Sequence, residues 1–316
     1  MKIGMFGGTF NPPHRGHVTM AQAAVEQLGL DTLLIVPAGI PPHKQLPAGS
    51  AASHQRFAMA ELMAGAVGKC AVADDRELRR EGKSFTSDTL LQLREEYPEA
   101  DLWLLMGSDM FLSLHTWHEP QIICRVANIA AFSRNEDDER TAFEAQKANL
   151  EQRFGARVAI LENPHLIEVS STELREGLPH DRGEELLPTA VWGYVQREHL
   201  YGTDTDLKQL TVVALRPIAL SYLKPKRMPH VLGTEETAAY LARKYGADEQ
   251  EARIAALLHD CTKKLSIEEQ LSLCERYGIE LDALERVALK LQHSRTGAEI
   301  ARHEFGVSDA VYSAIR

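Results

Sequence analysis

Cysteine is scarce. The 316 residues hold four, Cys70, Cys124, Cys261 and Cys274, and none forms a C-x-x-C pair. Their spacing suggests no disulfide framework, so reduced thiols in a cytoplasmic protein are the default. No apolar run approaches the ~18 residues that a membrane span needs. The opening Met1-Lys2-Ile3-Gly4-Met5-Phe6 reaches Gly7-Gly8 too soon for the apolar core of an export signal. Positive charge is in short supply too, with 35 Lys and Arg against 45 Asp and Glu, a net charge of -10. That balance lacks the basic face which nonspecific nucleic-acid binding requires, although a few placed cations suffice for a nucleotide polyphosphate. Repeats, coiled-coil heptads and low-complexity segments are absent. What is there is ordinary for a globular protein, 44% hydrophobic and 25% charged. The length suits two domains of roughly 100 to 200 residues each.

Short runs rich in Val, Ile and Leu at 2–6, 32–37, 70–73, 102–106, 129–133 and 158–161 read as buried strands. Between them, stretches near 17–29, 53–66, 86–97, 109–126 and 139–153 carry helical periodicity. This alternation predicts a doubly wound parallel sheet whose ligands sit at the carboxyl ends of the strands. After about residue 200 the strand signal stops. Gly202-Thr203-Asp204-Thr205-Asp206 is a polar breaker, and the rest reads as helices only. The expected division is an α/β domain over 1–202 and an all-α domain over 206–316.

The densest chemistry falls between the first strand and the first helix: Gly7-Gly8-Thr9-Phe10-Asn11-Pro12-Pro13-His14-Arg15-Gly16-His17. Paired glycines let the backbone approach an anion with no Cβ in the way. His17 falls at or just inside a helix N-terminus, where free amides and the dipole favour phosphate. Two imidazoles aimed at one phosphate can stabilise charge that builds in a transition state, and one such donor is typically worth about 3 to 4 kcal/mol. The loop is neither a Walker A motif, lacking the G-K-[ST] ending, nor G-x-G-x-x-G. The plainer reading is a turn with two surface histidines. A second stretch, Ser170-Ser171-Thr172-Glu173-Leu174-Arg175, reads as a helix cap by itself. A cap and an anion site are compatible.

These two segments resemble the H-x-G-H and S-S-T-x-x-R motifs of the nucleotidyltransferase superfamily. Over residues 1 to about 200 the sequence resembles bacterial nicotinate-nucleotide adenylyltransferases of the NadD type. Pro37-Ala38-Gly39-Ile40-Pro41-Pro42-His43-Lys44 is similar to that family's loop after the second strand. Ser84-Phe85-Thr86-Ser87-Asp88-Thr89-Leu90 is similar to its S-Y-T-x-D-T-L stretch, with Phe85 where Tyr is more usual. Gly107-Ser108-Asp109 followed by Trp117-His118 is similar to the part that holds the ribose and the nicotinate ring. The resemblance implies a Rossmann-like domain that moves AMP from ATP to nicotinate mononucleotide, with Mg²⁺ carried by the ATP. It implies catalytic roles for His14, His17, Lys44 and Arg175. ATP would be held by Gly7, Gly8, Thr9, Phe10 and Gly16, by Gly107 and Asp109, and by Ser170, Ser171 and Thr172. Phe85, Thr86 and Trp117 would bind the nicotinate nucleotide. Core packing is the competing reading for Trp117.

The helical half carries His230, His259-Asp260 and His293. Ala255-Ala256-Leu257-Leu258 puts the His-Asp pair at the end of an apolar helix, where two polar groups are costly unless something binds them. His230 and His293 are each expected just ahead of a helix. Such ligands from separate helices suit Fe or another divalent transition metal that activates water. Helix-cap histidines beside an incidental dipeptide are the plainer reading. Residues 230–238, 258–264 and 293–298 resemble HD-domain enzymes of the YqeK type, over about 210 to 316. Those cleave diadenosine tetraphosphate symmetrically. In that family the stretch similar to Ala314-Ile315-Arg316 runs on into another His, and a later helix supplies a metal-binding Asp. The HD domain is therefore expected to be incomplete over 206–316. The expected partners are small nucleotides (ATP, nicotinate mononucleotide, diadenosine tetraphosphate), with no nucleic acid and no membrane. Homo-oligomerisation is left open. The alternative is an adenylyltransferase for another acceptor, nicotinamide mononucleotide or a pantetheine phosphate, joined to a noncatalytic helical module.

Overall fold

A computed structural model of the chain describes residues 1–40, 46–133, 137–162, 167 and 169–316. The chain packs as two compact units, Met1–Gly177 with Arg182–Pro188, and Leu178–Asp181 with Thr189–Arg316.

The first unit runs β1 (Lys2–Gly8), α1 (Arg15–Leu28), β2 (Thr32–Pro37), α2 (Ser53–Val67), β3 (Ala71–Ala73), α3 (Thr86–Glu96) and β4 (Asp101–Met106). It continues through α4 (Ser108–Ser113), α5 (Pro120–Val126), β5 (Asn128–Phe132), α6 (Asp137–Phe154), β6 (Val158–Leu161) and α7 (Ser171–Gly177). The six strands form one parallel sheet in the order β3-β2-β1-β4-β5-β6. Alternation along each strand feeds two cores. On one face Met5, Leu34, Leu104 and Ile129 meet Leu90 and Leu93 of α3 and Phe143 of α6. On the other, Phe6, Leu33, Ile35 and Ala130 meet Ala21 and Ala24 of α1 and Met63 of α2. The strand order reverses at β1, so a crevice opens at the carboxyl ends of β1 and β4, the switch point where doubly wound sheets take ligands.

The sequence predicts one helix over 109–126, but the chain breaks there into α4, a short helical turn at Leu114–Thr116, and α5. Trp117 is extended and Glu119 has φ +50, with Pro120 opening α5. Proline disfavours helical backbone at the residue before it and suits the first helical position, so it ends one helix and starts the next.

The second unit is helical: α8 (Thr189–Arg197), α9 (Val212–Ser221), α10 (Met228–Tyr245), α11 (Glu249–Leu258), α12 (Ile267–Arg276), α13 (Ala283–Val287), α14 (Gln292–Phe305) and α15 (Asp309–Ile315). The sequence reading sets the division near 202–206, where the strand signal ends. The packing groups α8 with the helices that follow. At Gly193 the backbones of α8 and α9 meet so closely that a Cβ would lie 1.9 Å from the Pro217 carbonyl oxygen. Among the described residues no helix is long and apolar enough to cross a membrane.

Candidate functional sites

The loop after β1 carries its two histidines to the start of α1. His14 is the N-cap, in extended conformation, and His17 lies one turn in. The rings sit 3.7 Å apart between centroids. Behind them, Phe10 meets His17 edge-on at 5.2 Å and Phe6 lies 6.1 Å from it. His14 is buried and His17 half-buried. Burial lowers the His14 pKa to about 4. Burial, and secondarily the neighbouring His14, hold His17 well below the usual histidine range. Both rings are neutral at pH 7, as hydrogen-bonding groups rather than fixed cations. The His14 backbone N–H donates to His17 Nδ1 at 3.2 Å. That bond sets the tautomer, leaving the His17 proton on Nε2. Among the described residues, His14 Nδ1 is a buried ring nitrogen with no hydrogen-bond partner, a costly state that a bound ligand would relieve.

A cavity of about 850 Å³ opens at this point. Its walls include Gly7, Gly8, Thr9, His14, Gly16 and His17 from the β1 end, and Gly107 after β4. Phe85, Thr86 and Trp117 line it as well, together with Ser170. The fold thus gathers into one space most of the residues that the sequence singled out. The Phe85 and His118 rings meet at a tilt with centroids 4.1 Å apart, giving the cavity an aromatic stretch of wall. Thr86 is the first residue of α3, where backbone N–H groups are unspent.

Five expected residues lie outside these walls. Phe10 is 1% exposed and packs in the core. Asp109 and Thr172 are exposed. Ser171 Oγ donates to the Pro12 carbonyl at 2.9 Å. Arg175 spends Nη1 on the carbonyls of Asn11 at 2.7 Å and Ser171 at 3.0 Å, and Nη2 on Thr172 Oγ1 at 3.0 Å. Ser171 and Arg175 thereby fasten α7 to the histidine loop. Lys44 lies outside the described residues. His118, which stood in the quoted Trp117-His118 stretch without a role of its own, lines the cavity, and so does Glu77, which sequence did not single out. Glu77 stands in the charge-rich run Asp74–Lys83, where no motif marks it.

The His14 shift has a consequence for stability. The ring is neutral when folded down to about pH 4 but takes a proton near 6.5 when unfolded. Its contribution is complete above 6.5 and is lost as the pH falls through that range towards 4, up to about 3 kcal/mol. Thermal melts between pH 7 and 4 should show a shallower acid decline in His14→Gln than in the wild type. Parallel declines would refute the assignment.

In the helical unit, His230 and His293 lie inside the first turns of α10 and α14, not ahead of those helices as expected from sequence. His230, His259 and Asp260 offer ligand atoms all within 4.8 Å of one another. His230 Nε2 is 3.3 Å from His259 Nε2, which is 3.5 Å from Asp260 Oδ2. His293 stands outside this triad but reaches Asp260 Oδ1 at 3.6 Å. The donor set fits a divalent metal on two observations. Asp260 is 1% exposed and its Oδ1 has no hydrogen-bond partner among the described residues. His259 Nδ1 lies 2.7 Å from the Ala256 carbonyl and His293 Nδ1 lies 2.8 Å from that of Lys290. Each carbonyl takes the Nδ1 proton and leaves the Nε2 lone pair facing the carboxylate, the usual arrangement behind a metal-binding histidine. Two cations border the cluster that sequence did not single out. Arg227 Nε donates to Asp260 Oδ2, and Lys263 Nζ is 3.0 Å from His293 Nε2. Burial raises the Asp260 pKa, but the hydrogen bond and positive charge of Arg227, with the nearby histidines, outweigh it and hold the carboxyl below its ordinary range.

A parallel sheet with paired imidazoles at its switch point, followed by helices bearing a His/Asp cluster, defines a Rossmann-like nucleotidyltransferase domain joined to an HD-type helical domain. The chain belongs to the cytidylyltransferase-like family, whose model matches residues 5–177, and an HD-domain model matches 227–316. A "Probable nicotinate-nucleotide adenylyltransferase" of Neisseria meningitidis is 39% identical over 201 residues, covering 63% of this chain and 98% of that relative. One of Listeria monocytogenes with the same description is 33% identical, covering 64% and 97%. A solved Plasmodium falciparum nicotinic acid mononucleotide adenylyltransferase, complexed with APC, superposes with TM-score 0.51 at 16% identity over 64% of this chain and 98% of that one. That likeness speaks for the fold alone.

Proposed function

We propose that the first unit transfers AMP from ATP to nicotinate mononucleotide, giving deamido-NAD and pyrophosphate. The observation that carries this reading is the neutral imidazole pair sharing one cavity with Phe85, Trp117 and His118. The named relatives support it. A phosphate oxygen of the mononucleotide attacks the α-phosphorus of ATP, the bond to the bridging oxygen breaks, and pyrophosphate leaves with those electrons. No covalent enzyme intermediate is needed. Positioning and charge stabilisation do the catalysis, as in phosphoryl transfer generally. His17 donates Nε2–H to the α-phosphate, and His14 and the free amides at the start of α1 add to it. Arg175 holds the loop in place through Asn11, and Lys44 serves the β and γ groups. Trp117, Phe85 and His118 pack the pyridine ring, while amides at the start of α3 read its carboxylate. Mg²⁺ arrives on the polyphosphate.

In the helical unit, His230, His259 and Asp260 would hold a divalent transition metal, with His293 beside them. When bound there, such an ion supplies a water activated for phosphoanhydride hydrolysis. Diadenosine tetraphosphate is the proposed substrate, and Arg227 and Lys263, which border the cluster, would supply cations to its phosphates.

Offering ATP with nicotinate mononucleotide, nicotinamide mononucleotide and a pantetheine phosphate in turn tests the acceptor. Nicotinate mononucleotide is expected to lead in kcat/KM by about tenfold or more, because an acceptor without the carboxylate leaves the α3 amides unpaired. A severalfold lead for another acceptor overturns the assignment.

A further inference from the structure

The mechanism above leaves one buried carboxylate of the cavity without a task. Glu77 is 6% exposed and lines the cavity beside Ser84, Phe85 and Thr86. A carboxylate so placed is costly unless its oxygens are paired. Glu77 Oε1 accepts from Thr89 Oγ1 at 2.8 Å, and Thr89 is fully buried on α3. The Gly39 backbone, just past β2, lies against Glu77, and its N–H favours the charged form of the carboxylate. Gly39 has to be glycine there, because a Cβ would lie 2.3 Å from the Glu77 carbonyl oxygen. Ser84 closes the knot: its Oγ donates to that carbonyl at 3.3 Å and its N–H to the Ile40 carbonyl at 3.1 Å. Glu77 thus joins α3, through its carboxylate, to the segment after β2, through its backbone and Ser84, and the first residue of α3, Thr86, faces the cavity.

The histidine loop has a fastening that does not use Glu77, and it also holds Ala38 just after β2. Arg56 Nη1 donates to the Ala38 carbonyl at 2.7 Å and to the Thr9 carbonyl at 3.1 Å. Loosening the Glu77 carboxylate leaves both Arg56 bonds in place, so the disturbance falls on α3 rather than on the glycine-histidine side.

We propose that Glu77 is a positioning residue for the acceptor, setting the spacing between α3 and the segment after β2 and so the affinity for the mononucleotide, without acting on the chemical step. The inference rests on the functional reading given above. It predicts a split between the two substrates that a general structural role would not produce.

The experiment is steady-state kinetics of the full chain as wild type, Glu77→Gln, Glu77→Ala and Thr89→Val, with thermal melts of each. Loss of a charge-assisted hydrogen bond should raise KM for nicotinate mononucleotide about tenfold in Glu77→Ala. Severalfold rises are expected in Glu77→Gln and Thr89→Val. KM for ATP and kcat should stay within about twofold. An unchanged acceptor KM, equal rises in both KM values, or a fall in kcat alone would overturn the proposal. Should Glu77→Ala fail to fold, the near-isosteric Glu77→Gln and Thr89→Val decide. A wild type inert towards nicotinate mononucleotide removes the functional reading and this inference together. An active wild type with unaltered variants removes only this inference.

Discussion

Turnover of His17→Ala is expected to fall by about 10² to 10³, the usual cost of deleting one preorganised donor to developing charge. The expectation follows from the tautomer. His17 Nδ1 is occupied by the His14 N–H, so Nε2–H is the atom left to face a ligand. Because burial keeps the ring neutral, it acts through a directed hydrogen bond, which gains most where charge accumulates. KM for ATP should move far less than kcat, since the ground-state polyphosphate has the α1 amides as well. Stability should change little. The lost ring contacts with Phe6 and Phe10 are offset by removing a desolvated polar ring that is held by a single hydrogen bond. Pyrophosphate release measures the first quantity and a thermal melt the second. Turnover within threefold of wild type would exclude the imidazole pair from the mechanism.

Asp260→Asn is expected to lower divalent-metal affinity by about 100-fold or more, beyond the 10- to 100-fold typical of losing a supporting partner of a ligand. Asp260 is the one carboxylate of the triad and lies between the imidazoles. An amide removes the negative charge that offsets a dication, and leaves Arg227 facing the site without its counterion. Part of the loss is then electrostatic repulsion. Co²⁺ titration followed by visible absorption, with metal analysis of the purified wild type and variant, reads this directly. Hydrolysis of diadenosine tetraphosphate by the metal-loaded wild type should vanish in the variant. Equal metal affinity in the two proteins would exclude the triad as a ligand set. A metal-free, inactive wild type would favour a noncatalytic module.

The buried strands were legible because a doubly covered parallel strand needs an unbroken apolar run, and such runs stand out between amphipathic stretches. Thr32–Pro37 and Val158–Leu161 match their expected bounds, and the others differ by a residue or two at their ends. Helix ends were read less well. Pro120 splits 109–126, a signal present in the sequence but outweighed there by the apolar periodicity. Helix α8 follows no strand and carries only nine residues, too few for periodicity to announce.

From sequence alone came the alternation of elements and the chemistry-bearing residues: the glycine-histidine loop, the aromatic stretches around 85 and 117, and the His/Asp cluster. The glycine-histidine loop and the His/Asp pair rest on local spacing and side-chain type, which a linear chain displays, while the stretches around 85 and 117 were marked by their resemblance to the adenylyltransferase family. Only the tertiary structure decided which of them share a space. The crossovers bring α3 and the turn before α5 to the end of β1, while Arg175 is drawn onto loop carbonyls and Phe10 into the core. Glu77 and Arg227 were invisible for the same reason. Each lies in a charge-rich run where no motif marks it, and each matters through partners distant in sequence, Thr89 and Gly39 for one and Asp260 for the other.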